Sequence, residues 1–432
     1  MRLEGANAKR PNLNAERRRS GSRGDDSKFG VEVWTFGVLP HLPEAGNASP
    51  NHQPPGETPR MTEPRNAVEL LQALIRIPSV NPEGDPGTDG TGEARIAGWL
   101  AEFLRGLGAH ANLREVLPGR PNVVARFPSD RPGKPRLLLA PHTDTVSVVG
   151  MTIPPFAADL RDGKVWGRGA SDTKGSMAAM LWALREMRER LPALGHEIWF
   201  AGLASEEAGQ HGSKALAREE PFDFVIVGEP TGLDVVHTHK GCAFLQLRTT
   251  GRAGHAARPE LGDNAIAKML DVLAFVRGDL AREFAAIHDP ALGSPTISIG
   301  TIRGGSKTNI IPDACEASVD MRFVPAQFAP GFVEKIIARL RAVCPDLAVD
   351  LSPAPPLATD PAHPLIAKLG ECGARPVGAP WFCDACFFAE RGTPAVALGP
   401  GSIAQAHTRD EWIAVADLEN GVEFFNAFLA KL

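Results

Sequence analysis

The sequence predicts an α/β protein interrupted by a smaller α+β domain, and three observations carry that prediction. Short apolar runs, Leu137 to Ala140, Glu197 to Leu203 and Phe224 to Gly228, read as buried strands, and each is followed by acids or imidazoles. Stretches with apolar residues at helical spacing precede or separate them. After Glu229 the pattern changes to alternating strands and intervening helices, two strand-helix-strand units that suggest a smaller domain entered near residue 240 and left near residue 350.

Taken in order, residues 1 to about 60 offer little to bury: Arg17, Arg18 and Arg19 stand among scattered Gly, Asn, Ser and Pro, as in a disordered extension. No apolar stretch follows the basic residues, so the segment does not read as a signal peptide, and Met61 is a candidate native start. Val68, Leu71, Leu74 and Ile75 recur at helical spacing until Pro78, and Ile96 to Leu107 forms a second amphipathic helix ending near Gly108. Asn122 to Phe127 and Arg136 to Ala140 read as strands, and Lys174 to Arg190 as a helix with Met177, Met180, Leu181, Leu184 and Met187 on its core face. In the inserted block, strands are expected at Ala243 to Arg248, Thr296 to Arg303 and Cys315 to Phe323, and helices at Asn264 to Val276 and Phe332 to Val343. Pro353, Pro355 and Pro356 mark the return to the first domain, which Ala395 to Leu398 and the helix Ala416 to Leu429 complete. The expected division is therefore 1–60 extension, 61–239 and 351–432 the two parts of the main domain, and 240–350 the insertion.

A chain of 432 residues with a formal net charge of -5 has no basic excess, which argues against nucleic acid or an anionic membrane as partner. No apolar run approaches the ~20 residues that span a bilayer. Six cysteines in so long a chain do not make a disulfide framework, and with no signal peptide they favour a reducing cytoplasm. Cys383 and Cys386 have C-x-x-C spacing, but no second pair or flanking His accompanies them.

Ligands of open α/β sheets bind beyond the carboxyl ends of the strands, and the candidate residues recur there. His142 and Asp144 lie two apart after a strand, so extended backbone points both to one face, with Asp144 placed to hold the second ring nitrogen of His142. Asp172 is either a helix N-cap or, given its approach through Gly167-Arg168-Gly169, a carboxylate that meets metal closely. Glu206 and Glu207 can face one site only from a turn, one as ligand and the other as proton acceptor, and the bland alternative is a pair of solvated acids. Glu229 follows a buried-looking strand, a costly place for a carboxylate without a partner unless it reaches solvent. His407, in a Gly-rich loop, is either a ligand or an exposed loop histidine. One shared site for a pair of metal ions accounts for all of them.

The motifs Pro141 to Val146, Gly167 to Gly175, Glu206-Glu207, Gly228 to Thr231 and Ala406 to Glu411, in this order, resemble the M20 family of dinuclear zinc peptidases and amidohydrolases over about residues 65 to 430. The resemblance implies a mixed-sheet α/β/α metallohydrolase catalytic domain with an inserted lid and dimerisation domain. It implies that Asp172 bridges two divalent ions, zinc with cobalt able to substitute. His142 and Glu229 would complete one ion, Glu207 and His407 the other, and Glu206 would be the general base. Gly254 to Pro259 matches the segment whose histidine reaches a partner's active site, which makes His255 an oxyanion donor in trans in a homodimer. Asn309 and Arg322 match positions that hold a substrate carboxylate. Because the chain contains no Tyr, no tyrosine shares the oxyanion role.

Gly399 to Ile403 followed by Gln405-Ala406-His407 resembles the acetylornithine deacetylase and succinyl-diaminopimelate desuccinylase branch, whose reaction is hydrolysis of the amide of a small N-acyl amino acid. Phe382 to Cys386 departs from that branch near the substrate. A dipeptidase or carboxypeptidase on the same ligands is the alternative reaction, and a silent binding or scaffold protein the alternative class.

Overall fold

The computed structural model describes residues 63–432 apart from 84, 86 and 89; the expected extension 1–60 and the candidate start Met61 lie outside the described residues. Four parallel strands form the centre of the larger sheet: Glu197–Gly202, Arg136–Ala140, Phe224–Val227 and Ala395–Ala397, adjacent in that order. Arg120–Arg126 pairs antiparallel to Glu197–Gly202 and carries the edge strand His110–Leu117. On the far side stands Val235–His239, antiparallel to Ala395–Ala397, with Leu357–Ala358 and Pro376–Ala379 paired to it.

The apolar runs are continuous because both faces of this sheet are covered. Leu137, Leu139, Ile198 and Phe200 face a core built with the helices Ala67–Ile75, Ala94–Gly106, Lys174–Met187 and Val415–Leu429. Leu138, Ala140, Trp199 and Ala201 face the opposite core, with Leu216 of His211–Glu219 and Phe388 of Ala385–Glu390. The result is the mixed-sheet α/β/α architecture expected.

Between Val235–His239 and Leu357–Ala358 the chain makes a four-stranded antiparallel sheet, in the order Thr296–Gly304, Ala314–Phe323, Gly241–Thr250 and Ala348–Ala354. Its alternation buries Leu245, Leu247, Cys315, Ala317, Val319 and Met321 against Met269, Val272, Ile336 and Leu340 of the helices Ala265–Phe275 and Phe332–Val343, a core of its own. Gly254–His255 and Ile310–Ile311 form a separate two-stranded ribbon.

The sequence reading passed over several elements, among them the helices His211–Glu219, Pro364–Gly370 and Ala385–Glu390 and the strand Val235–His239, and three further details differ from it. His110–Leu117 is a strand that no apolar alternation announces, because as the sheet edge it buries only Ala111 fully. The helix starting at Lys174 ends at Met187, ahead of Arg190. Pro353 lies inside Ala348–Ala354 and not beyond it; that strand is an edge, where a missing N–H costs no ladder bond.

Candidate active site

All four central strands point the same way, so the segments after their carboxyl ends meet at one edge of the sheet. His142 follows Arg136–Ala140, Glu206 and Glu207 follow Glu197–Gly202, Glu229 follows Phe224–Val227, and the loop from Leu398 to His407 follows Ala395–Ala397. Close packing holds these segments together. A Cβ on Gly399 would sit 2.7 Å from the Glu229 carbonyl, so only glycine lets that loop approach.

Asp172 is the centre of the cluster. One carboxylate oxygen lies 3.0 Å from His142 Nε2 and the other 3.3 Å from His407 Nε2, which is also 2.9 Å from Glu207 Oε2. Potential ligand atoms of His142, Asp172 and Glu229 fall within 4.8 Å of one another, as do those of Asp172, Glu207 and His407. The N-cap alternative for Asp172 does not hold: Thr173 occupies that position, and the Asp172 side chain turns to the two imidazoles. The solvent alternative for Glu229 fails as well, since it is buried, as are His142 and Asp172. His407 is held at φ +59, a conformation unusual outside glycine and common where a site dictates the backbone.

Backbone and carboxylate bonds fix the three loops. The Asp144 carboxylate accepts from Asn81 Nδ2 at 2.8 Å and from the amides of Glu206 at 2.9 Å and Glu207 at 3.0 Å, so it shapes the turn that lets adjacent glutamates share a site. It is the Asp144 backbone carbonyl that lies 3.0 Å from His142 Nδ1, with the carboxylate at 3.6 Å. Glu411, fully buried, accepts from the amides of Gly169 and Ser171 at 2.8 Å and Asp172 at 2.9 Å. It also pairs with Arg168 at 3.1 Å, and the same guanidinium nitrogen donates to the Thr408 carbonyl at 3.1 Å. The loops bearing Asp172 and His407 are therefore tied through one ion pair. Asn81, Arg168 and Glu411 were not expected as site residues, because contacts across such sequence separations leave no local signal.

Electrostatics mark members of the same group. Burial, reinforced by the charge of Glu229, pushes the Glu206 carboxyl well above its ordinary range, and burial with Asp172 does the same to Glu229. His407 is drawn down by burial, but Glu207 and Asp172 outweigh it and raise it to about 11. Burial also pushes the Cys383 and Cys386 thiols up; both are free, and neither belongs to a described group that could hold a metal.

Three expected residues, His255, Asn309 and Arg322, belong to neither described ligand group. His255 and Asn309 lie together on the exposed ribbon, where the Ala256 amide donates to the Asn309 carbonyl at 3.0 Å and the Ala257 amide to His255 Nδ1 at 3.1 Å. Arg322 is paired with Asp320 at 2.8 Å, its guanidinium 5.2 Å from the ring centre of Phe244 and 5.7 Å from that of Phe382.

A family model for peptidase family M20/M25/M40 matches residues 138–431. An acetylornithine deacetylase of Proteus mirabilis is 32% identical over 366 residues, covering 82% of this chain and 93% of that protein. The enzyme of the same name from Vibrio parahaemolyticus is 30% identical, with 84% and 98% covered. Among solved structures, an M20 family metallo-carboxypeptidase of Sulfolobus solfataricus has TM-score 0.68 at 19% identity, with 84% and 98% covered. A dinuclear metal-binding M20 peptidase of Bacillus subtilis has TM-score 0.58 at 13% identity, with 84% and 97% covered. These two likenesses concern the fold. From the match over both sequence and sheet, the chain belongs to peptidase family M20/M25/M40 and is a hydrolase of amide C–N bonds.

Proposed function

We propose that the protein hydrolyses the amide of a small N-acyl amino acid, a reaction of the acetylornithine deacetylase or succinyl-diaminopimelate desuccinylase type, with two divalent metal ions, zinc or in its place cobalt. The observation that carries this reading is Asp172, whose two carboxylate oxygens face two different imidazoles inside a buried cluster of acids. The donor set fits a pair of cations. Glu207 Oε1 and Glu229 Oε1 are buried without a hydrogen-bond partner, and so many carboxylates out of water are costly unless cations pair with them. His142, Glu229 and Asp172 would hold one ion, and Glu207, His407 and Asp172 the other. Bound there, the pair would polarise the amide carbonyl and lower the pKa of water towards roughly 7.

The chain's own groups do the rest. Glu206 accepts the proton of the attacking water and delivers it to the amide nitrogen as the C–N bond breaks. A carboxyl raised by burial is suited to both halves of that transfer. Asp144 sets the Glu206 backbone. His255 of a second copy would donate to the oxyanion, with the domain 240–350 as lid and dimer contact, and Asn309 and Arg322 would receive the substrate carboxylate. Glu206→Gln is expected to lower kcat by at least about 10²-fold with both metals retained. Wild-type turnover in that variant contradicts the role.

A dipeptidase or carboxypeptidase would use the same groups, and the metallo-carboxypeptidase among the structural neighbours keeps this second reading open. N-acetyl, N-succinyl and dipeptide substrates separate the two. A binding or scaffold role predicts metal-loaded protein inert to all of them. No described helix is long and apolar enough to cross a membrane. We place the enzyme in the cytoplasm on its cysteine usage, with neither nucleic acid nor membrane as partner.

A further inference from the structure

We propose that a cavity beside the acid cluster receives the side chain of the substrate amino acid and that it selects an uncharged, apolar one; the inference rests on the N-acyl amino acid reading above. The cavity has a volume of about 250 Å3 and opens between the segments 230–232, 377–381 and 401–403. Pro230, Val236, Val377, Pro380, Trp381 and Ile403 supply its apolar walls, and none of the described residues lining it is charged. Of its two hydroxyls, Thr231 Oγ1 donates to the Asp234 carbonyl at 2.7 Å, and Ser402 Oγ accepts from the Ala404 amide at 3.3 Å.

Covalent and hydrogen-bond links join each wall to the proposed chemistry. Pro230 is the residue after Glu229, and Thr231 bridges to Ser402. The Ser402 carbonyl lies 3.4 Å from Ser171 Oγ, one residue before Asp172. Trp381 precedes Phe382, whose ring lies 5.7 Å from the Arg322 guanidinium. An N-acyl amino acid offers three groups from its α-carbon. With the amide at the acid cluster and the carboxylate at Arg322, the side chain is the group left for this cavity.

A terminal ammonium placed there would meet apolar walls with no carboxylate in the described lining, and a second carboxylate would meet no cation. Methionine, leucine or norleucine side chains meet no such penalty. The chain would then differ in side-chain preference from relatives named for acetylornithine.

The test is kcat/KM of the zinc-loaded full chain on the N-acetyl derivatives of alanine, norvaline, methionine and ornithine, and on methionine bearing longer acyl groups. Filling an apolar pocket changes kcat/KM by about 10–200-fold per methylene at most sites of this kind, so methionine should exceed alanine by at least about tenfold. Ornithine should do no better than alanine. Trp381→Ala should shrink the methionine advantage, and Ile403→Asp should shift preference towards ornithine. Should either variant fail to fold, the wild-type panel decides alone. Preference for ornithine, or a response to acyl length in place of side-chain length, overturns the pocket assignment and leaves the hydrolase reading standing. Inertness to every compound overturns both.

Discussion

Asp144 shows what a single residue adds beyond its neighbourhood in sequence. Its spacing from His142 suggested support of that imidazole, yet its carboxylate oxygens spend their bonds on Asn81 and on the amides of Glu206 and Glu207. Asp144→Asn keeps the shape but presents an NH2 group where an amide donor must be received. Residues that orient metal ligands typically cost about 10–100-fold in activity or metal affinity when altered. We expect a loss of that size in kcat with an unchanged circular dichroism spectrum; wild-type kcat would refute the part given to this carboxylate. His142, Asp172, Glu206, Glu207, Glu229 and His407 were legible because each follows a strand end or opens a helix. The clamp formed by Glu411 and Arg168 was not, since a bond from Glu411 to the Asp172 amide joins loops that no local pattern connects. The left-handed backbone of His407 likewise has no signal in its own segment.

The helices and strands read from apolar periodicity match to within a few residues, whereas Val235–His239, His211–Glu219, Pro364–Gly370 and Ala385–Glu390 were not read, although each buries apolar side chains. Ala67–Ile75 and Ala265–Phe275 each begin after an asparagine whose side chain accepts a backbone amide, Asn66 from Glu69 at 2.8 Å and Asn264 from Ala267 at 3.1 Å. Such a cap followed by apolar residues at helical spacing is a local signal. Asn66→Ala and Asn264→Ala should each lower unfolding free energy by about 1 kcal/mol in urea titrations, while Asp at either position retains most of it. Unchanged midpoints in both Ala variants would show that the caps carry nothing. His110–Leu117 escaped notice for the opposite reason: an edge strand leaves its side chains to solvent, and its amides are paired by Arg120–Arg126, a partner that the periodicity of one strand does not reveal.

At the scale of the molecule, a core of the insertion's own, besides the two that flank the large sheet, explains how the chain can carry a second small domain without disturbing the first. The insertion leaves after Val235–His239 and returns at Leu357–Ala358, neighbouring strands of one sheet, so the larger core is continuous around it. The role proposed for the insertion is tested with two copies of the chain. If His255 serves the partner's site, His255→Ala and Glu206→Ala are each inactive alone, but mixed after subunit exchange they form heterodimers with one intact site. Activity should then recover to roughly a quarter of wild type for statistical exchange; an active His255→Ala alone would place His255 outside the reaction, and two inactive variants with no recovery would place it within its own subunit's site. The central claim is simpler: two sets of ligands share Asp172. Metal content after equilibrium dialysis of the full chain against zinc tests it most directly. Two ions per chain are expected, falling to one in Glu229→Ala and to one in Glu207→Ala with the fold retained; a single ion in the wild type, or two in both variants, contradicts it.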